Sequence, residues 1–366
     1  MNQIITATLV LSALSGVLTI LLLIAEYFFA SYGECEIDVN AGEKLFKVEG
    51  GASLLTTLAS QKLFLPSGCG GRGSCGTCKC KVLDGGGPLL PTEIPYLNDE
   101  EKKTDIRLSC QIKVKNNIKI EVPEELLSIK EFDTVVEKIV DHTHDIKGIR
   151  FKLPEGETVK FKAGQFVNLF NQPYGDVKDS TSRAYSISSA PSDNKYIELV
   201  IRLVPNGMVT TYVFNHLKEG QKARLIGAFG EFFLRDTDRE IVCIAGGSGL
   251  APIRSIILDM IDRKISNRRA TFFFGAVSQR DLYYVEEFKA IEKEHPWFRF
   301  VPALSNDKTD HPFENGLITD VVANHYESLA EMEAYLCGSP GMIGACEKVL
   351  TGKGMPVERI YYDKFS

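Results

Sequence analysis

The sequence has no positive charge to spare: 42 Lys and Arg stand against 48 Asp and Glu, a formal net charge of −6. A nucleic-acid binder needs a basic face, so nucleic acid is excluded as a partner. Histidine is scarce, with six in 366 residues. Only His142 and His144 lie close together, in a polar stretch with no third ligand nearby, which reads as a solvated pair and not a metal site. No Ser-His-Asp grouping stands out, so hydrolytic catalysis has no support. A G-x-G-x-x-G loop is missing too, which disfavours an ordinary dinucleotide-dependent dehydrogenase. Nine cysteines in a chain of this length do not make a small disulfide-stapled scaffold.

What is present is globular composition, 44% apolar and 25% charged, at a length that suggests two or three domains. The apolar residues are unevenly spread. From Ile4 to Ala25 there are 22 residues without a charge. As a helix this run spans about 33 Å, enough to cross the hydrocarbon core of a bilayer. No Lys or Arg precedes the run, and it is longer than a signal-peptide core, so residues 1–32 are expected to form a retained transmembrane anchor. Lys44 and Lys47 follow the span, which favours soluble domains on the cytoplasmic side. Glu26, at the end of the span, reads as interfacial. One helix without an internal charge makes no ion pathway by itself.

Residues 33–129 carry the cysteine cluster. Two alternating runs, Glu36–Val39 and Lys44–Val48, joined by Asn40-Ala41-Gly42, predict a β-hairpin. Ser53 then caps a short helical pattern with Leu54, Leu55 and Leu58 on one face. Next comes Cys69-Gly-Gly-Arg-Gly-Ser-Cys75-Gly-Thr-Cys78 and, after 31 further residues, Cys110. Thiolates that must converge need a backbone that turns sharply, and glycine allows it. The spacing is close to the plant-type C-x₄-C-x₂-C…C pattern of a [2Fe–2S] cluster. Zinc is the weaker alternative, because it usually takes paired C-x₂₋₄-C elements. A disulfide is weaker still in a cytosol-facing chain. Cys35, Cys80, Cys243 and Cys346 read as small apolar packing residues.

Residues 130–235 contain six strand-like runs: Val135–Val140, Ile149–Leu153, Phe166–Phe170, Ala184–Ser188, Ile197–Leu203 and Ala223–Gly227. They are short, β-branched and punctuated by Gly, Pro or Asp, which predicts a small antiparallel barrel. Arg183-Ala-Tyr185-Ser186 places a phosphate fork, an aromatic face and a hydroxyl along one strand, which suits a flavin. Gly207-Met208-Val209-Thr210 opens a helix on a bare glycine, an arrangement that cradles phosphate. Residues 236–366 alternate strand and helix, which predicts a doubly wound α/β sheet. The first strand, Ile241–Ala245, runs into Gly246-Gly247-Ser-Gly249-Leu-Ala-Pro252, and a later one into Cys337-Gly338-Ser-Pro340.

These motifs in this order resemble the ferredoxin–NADP reductase superfamily. The stretch Leu65–Cys78 with five residues between its first two cysteines, Gly85–Gly87, Leu89–Glu93 and Leu108–Gln111 is similar to one family within it. That family is the F subunit of sodium-translocating NADH:quinone oxidoreductase, which also has one N-terminal transmembrane helix. The resemblance implies a β-grasp-like [2Fe–2S] ferredoxin domain with Cys69, Cys75, Cys78 and Cys110 as ligands. It further implies FAD at Arg183, Tyr185, Ser186 and Gly207–Thr210, and NADH at Gly246, Gly247, Gly249, Pro252, Cys337 and Gly338. Cys337 would lie near the nicotinamide, Tyr185 and Ser186 near the flavin ring, and Phe365 would cover the flavin face. Arg280 could reach a 2′-phosphate, yet Gly275-Ala-x₄-Asp281-Leu-Tyr-Tyr284 resembles NADH-using relatives. The implied activity is electron transfer from NADH through FAD and [2Fe–2S] to membrane redox subunits of a quinone reductase in the inner membrane. One departure is the segment between Phe166 and Arg183, only about 16 residues where the family has a longer insertion. A reductase feeding an oxygenase is the alternative, and a non-enzymatic redox sensor or scaffold a third.

Overall fold

The structure is a computed structural model that describes residues 2–29, 32–307 and 309–364. It divides into two compact units, residues 1–129 and 130–366, each taken by itself below.

The first unit opens on a long helix, α1 (Asn2–Phe29), whose apolar side chains from Ile5 to Leu22 are exposed throughout. An apolar stretch exposed on every side from Ile5 to Leu22 fits the membrane span read from the sequence. The hairpin follows as β1 (Glu34–Val39) and β2 (Lys44–Glu49), paired antiparallel. Its turn places Asn40, Ala41 and Gly42 at positive φ, which is why small and Asx residues occupy it. The Ser53 hydroxyl accepts from the Thr56 amide and starts α2 (Leu54–Ser60). Beyond the cysteine loop come β3 (Lys79–Asp84), α3 (Asp99–Lys103), β4 (Ile106–Leu108) and β5 (Ile118–Glu121). The sheet order β2-β1-β5-β3-β4, with β1 and β5 parallel, buries Ile37, Val39, Leu54, Leu58 and Ile120 between sheet and helix. Cys35 and Cys80 lie in this core as packing residues.

The second unit has two lobes. In the first, β6 (Lys130–Asp141), β7 (Ile146–Lys152), β8 (Phe166–Phe170), β9 (Ser182–Ser186), β10 (Tyr196–Arg202) and β11 (Lys222–Phe229) form one antiparallel sheet. Its order is β10-β7-β6-β11-β8-β9, and an Ile187–Leu199 bridge joins the two edges into a nearly closed barrel. Helix α4 (Met208–Asn215) plugs the barrel with Val209, Tyr212 and Val213.

In the second lobe, β12 (Ile241–Gly246), α5 (Leu250–Asp262), β13 (Ala270–Ala276), α6 (Val285–Glu294), β14 (Phe298–Leu304), β15 (Glu314–Asn315), α7 (Ile318–His325), β16 (Glu333–Gly338), α8 (Pro340–Gly352) and β17 (Ile360–Lys364) alternate along the chain. The sheet is wholly parallel in the order β15-β14-β13-β12-β16-β17. Helices α5 and α6 cover one face and α7 and α8 the other. The sequence order reverses between β13-β12 and β12-β16, the switch point where doubly wound folds open a crevice. Cys243 packs on the first face and Cys346 on the second.

The connection between the lobes is pinned by a buried carboxylate. Glu333, at the start of β16, pairs with Arg268 at 2.5 Å and accepts from Tyr335 at 2.8 Å and Thr237 at 2.7 Å. Arg268 in turn donates to the carbonyls of Arg239 and Arg235. Replacing one member of such a pair leaves the other charge buried and unpaired, at about 3–5 kcal/mol. Glu333→Ala is therefore expected to destabilise the second unit by about that amount. Urea unfolding followed by tyrosine fluorescence measures it, and an unchanged midpoint would contradict this account.

Candidate functional site

The cysteine loop runs between α2 and β3, and four of its glycines, Gly70, Gly71, Gly73 and Gly76, have φ between 69° and 85°. Left-handed backbone at these points turns the chain back on itself and brings the thiols together. They converge as two pairs. The Cys75 thiol hydrogen-bonds Cys69 and draws it down to about 4, while Cys75 itself is pushed up by the same bond and by burial. Cys78 does the same to Cys110, which is drawn down to about 6. Among the described residues no three His, Cys, Asp or Glu side chains meet at one ion position. A mononuclear zinc needs four donors around a point, whereas a binuclear cluster takes two thiolates on each iron. The donor set therefore fits [2Fe–2S] better than zinc.

Polar groups already point at the sulfurs. The Arg72 amide donates to Cys69 Sγ at 3.2 Å, Thr77 Oγ1 lies 3.1 Å from Cys75 Sγ, and Gln111 Nε2 donates to Cys110 Sγ at 3.5 Å. Such bonds raise a cluster's reduction potential and orient its ligands. A side chain at Gly73 would put its Cβ 2.5 Å from Gln111 Nε2, so only glycine lets that amide reach in. Behind Cys110 lies a buried ion pair that the sequence reading did not single out. Arg107 Nη2 binds Glu93 Oε2 at 2.6 Å and the Pro88 carbonyl at 2.9 Å, and Nη1 binds the Gly87 carbonyl at 2.8 Å. Glu93 also accepts the amides of Leu90 and Leu108. Glu93 and Arg107 thus latch the 86–93 loop onto the strand that delivers Cys110.

In the barrel, Arg183, Tyr185 and Ser186 come from β9, paired with β8 so that Tyr185 sits opposite Val167. Tyr185 OH is buried without a hydrogen-bond partner, an orphaned donor of the kind a bound ring or ribityl chain would satisfy. Burial holds its phenol protonated, well above its ordinary value. Arg183 Nη1 donates to the Ser182 carbonyl at 2.6 Å. Helix α4 starts on Gly207 with no side-chain cap, leaving first-turn amides for an anion. A Cβ at Gly207 would lie 2.5 Å from Thr210 Oγ1. Thr210 is buried, and its hydroxyl accepts from the Val204 amide and donates to the Val204 carbonyl, stapling the turn before the helix. Tyr174, from the shortened segment, donates to the Met208 carbonyl at 2.7 Å and stacks toward Tyr212.

In the nicotinamide lobe the glycine loop lies across the switch point. A Cβ at Gly249 would stand 2.2 Å from the Cys337 carbonyl oxygen, so the loop presses directly on the end of β16. Tyr283 donates to the Gly247 carbonyl at 2.8 Å and fixes the turn, with Gly247 at φ 55°. Pro252 falls in the first turn of α5, where its missing amide costs nothing. Cys337 is fully buried, and desolvation, with Asp363 nearby, holds its thiol protonated. Asp363 is the residue that the sequence reading missed. It pairs in register with Cys337 on the neighbouring strand, and Ser186 Oγ donates to its Oδ2 at 3.2 Å. Burial raises the Asp363 carboxyl, with the Ser186 hydroxyl opposing the shift. Ser186, Cys337 and Asp363 therefore meet from both lobes of the unit. No local pattern marked Asp363, which stands in an aromatic terminal run. Phe365 lies outside the described residues. Arg280 is exposed and lies 3.7 Å from Asp281. His142 is not solvated as its sequence suggested: it stacks on Tyr283, with centroids 5.2 Å apart, and lies tilted against Tyr284 at 4.5 Å.

Burial alone would raise Glu93, but the Arg107 guanidinium and two amides hold it below the ordinary carboxylate range. A depressed pKa contributes stability above the unfolded value, near 4.3, and that stability is lost as pH falls through the folded value. Acid should therefore release the cluster below about pH 4. Glu93→Gln should release it more readily at neutral pH and flatten the acid limb. Visible absorbance against pH reads both, and a variant with an unchanged profile would contradict the latch.

Three family models cover most of the chain. A 2Fe-2S iron-sulfur cluster binding domain matches residues 37–115, an oxidoreductase FAD-binding domain 133–234, and an oxidoreductase NAD-binding domain 243–348. Among solved structures, a cytochrome P450 reductase from Amycolatopsis is 29% identical at a TM-score of 0.74, covering 90% of this chain and 98% of its own. A ferredoxin reductase of carbazole 1,9a-dioxygenase is 25% identical at 0.69, covering 91% and 98%. Among curated sequences, the F subunit of the Na⁺-translocating NADH-quinone reductase of Neisseria meningitidis is 35% identical over 99% of both chains. That of Pseudomonas aeruginosa is 36% identical over 95% of both, and that of Yersinia enterocolitica 35% over 95% and 96%. With identity at this level over nearly the whole of both sequences, the chain belongs to the family of the F subunit of Na⁺-translocating NADH-quinone reductases.

Proposed function

We propose that the protein is the electron-input subunit of a membrane quinone reductase, oxidising NADH and passing the electrons through FAD and a [2Fe–2S] cluster to membrane redox subunits. The observation that carries the reading is the meeting of Ser186, Cys337 and Asp363 in a chain that also holds two thiol pairs. Residues 1–32 anchor it, 33–129 hold the cluster, 130–235 hold FAD and 236–366 hold NADH. When bound, the flavin supplies the conversion between a two-electron donor and a one-electron cluster.

The chain's own residues do the rest. Gly246–Pro252 and the turn after β16 form the crevice for the dinucleotide, with the Gly247 carbonyl held by Tyr283. Cys337, neutral and buried, is a soft wall there and not a nucleophile. Ser186 is held toward the ring by Asp363, whose raised carboxyl can carry a proton next to that hydroxyl. Tyr185 presents its ring and its orphaned hydroxyl to the flavin. Arg183 and the first turn of α4 face the pyrophosphate. The exposed apolar α1 holds the protein at the inner membrane with the folded units in the cytoplasm, consistent with Lys44 and Lys47 after the span.

The solved neighbours favour a second reading, a reductase that serves an oxygenase, since both are named for such systems. The curated relatives match over 95–99% of this chain and so weigh toward a quinone reductase. Purification from native membranes separates the two. Quinone reductase subunits should co-purify, and recovery of an oxygenase in their place would overturn the reading. Cys69→Ala should abolish the cluster's visible absorbance while NADH still bleaches the flavin at close to the wild-type rate. Loss of flavin reduction as well would show that the two centres are not independent.

A further inference from the structure

The seam between the barrel and the nicotinamide lobe has a feature that no motif marked. Arg254 stands on α5, two residues beyond Pro252 of the glycine loop. Its guanidinium is almost buried, with 12% of the side chain exposed. Within its own lobe it forks onto Glu287, at 2.6 Å from Nε and 3.2 Å from Nη2, and lies 4.6 Å over the Tyr284 ring. Across the seam Nη1 reaches Glu198 of β10 at 2.9 Å and the Ser188 carbonyl at 2.9 Å. Ser188 is two residues beyond Ser186. One side chain thus ties a point two residues from the glycine loop to a point two residues from the flavin-facing serine.

The far side of the link is itself braced. The other oxygen of Glu198 bonds Arg150, which also holds Asp193 at 2.8 Å and Glu137 at 3.0 Å. Next to Arg254, the buried Ser255 donates to the Ser189 carbonyl at 2.7 Å. Apolar packing also crosses the seam, since Ile146, Val200 and Phe232 share a core with Ile253 and Ile257. Apolar burial is non-directional and sets proximity. A guanidinium fork bonded to carboxylates on both sides is directional and sets angle and register.

We propose that Arg254, through Glu198, is a positioning residue that holds the glycine loop and Cys337 in register with the flavin face at Ser186. The proposal rests on the NADH and flavin reading above. It concerns neither a ligand contact nor a proton transfer, because Arg254 is engaged on every side by protein groups. A misplacement of about 1 Å between reacting groups can cost on the order of 100-fold in rate. Loosening this link should therefore slow the reaction without emptying either site.

The test uses the full-length protein with its flavin. Arg254→Lys keeps the charge but cannot fork between two carboxylates, and Glu198→Gln removes the charge on the barrel side while Glu287 still pairs with Arg254. In rapid mixing with NADH, each is expected to lower the limiting rate of flavin reduction by about tenfold or more. Flavin content and the dissociation constant for NADH should stay within about twofold, and the double variant should be no slower than the slower single one. Amide hydrogen exchange in residues 187–192 should rise in both variants. Wild-type reduction rates, losses that track flavin or NADH binding, additive effects or unchanged exchange would each overturn the proposal. If NADH failed to reduce the flavin of the unaltered protein, the functional reading would fall, and the exchange measurement alone would decide whether the link orders the seam.

Discussion

The nicotinamide half of the molecule turns on one close approach. Where β12 ends, the chain comes so near the end of β16 that a single carbon at Gly249 would overlap the Cys337 carbonyl. Because no side chain intervenes, the loop can lie flat across the switch point and α5 can start immediately. Cys337, at the end of β16, is fully buried, which keeps its thiol neutral. The next strand out, β17, carries Asp363 to Ser186.

Glycine does a different job in the first unit. At Gly70, Gly71, Gly73 and Gly76 it supplies positive φ, so that thiols adjacent in sequence can face inward together. Proximity alone would leave four thiols free to arrange themselves in any way. Their pairing comes from the frame: β3 begins at Lys79, next to Cys78, and the Glu93–Arg107 latch sets the strand before Cys110. The site is thus held by a loop that can turn and by a scaffold that cannot move.

The two kinds of relative share most of this architecture and differ in what they were named for. Two of the solved neighbours are named a cytochrome P450 reductase and a ferredoxin reductase of carbazole 1,9a-dioxygenase, and the curated relatives are named as a subunit of a Na⁺-translocating reductase. The segment between Phe166 and Arg183 runs to only about 16 residues. That segment still closes over α4, because Tyr174 reaches the Met208 carbonyl. An apolar helix exposed from Ile5 to Leu22 adds a requirement that a reductase of the cytosol does not have.

Local pattern was enough for the main elements of the barrel and of the α/β lobe. Short β-branched runs between Gly, Pro and Asp marked all six barrel strands, and the 3.6-residue period marked α5, because burying one face imposes its repeat on neighbouring residues. The short α3, β5 and β15 carried no such mark. Cysteine spacing pointed to an iron–sulfur cluster for the same reason: a loop's own geometry binds residues a few positions apart. What local pattern could not reach were pairings between distant segments. Ser186 and Asp363 lie 177 positions apart, and Arg254 and Glu198 lie 56 apart. His142 looked solvated from its neighbours in sequence, yet the distant Tyr283 stacks on it and Tyr284 lies tilted against it. Sequence by itself determined the main elements and the family. Tertiary structure alone decided which charges meet, because an ion pair or hydrogen bond depends on distance in space and leaves no period along the chain.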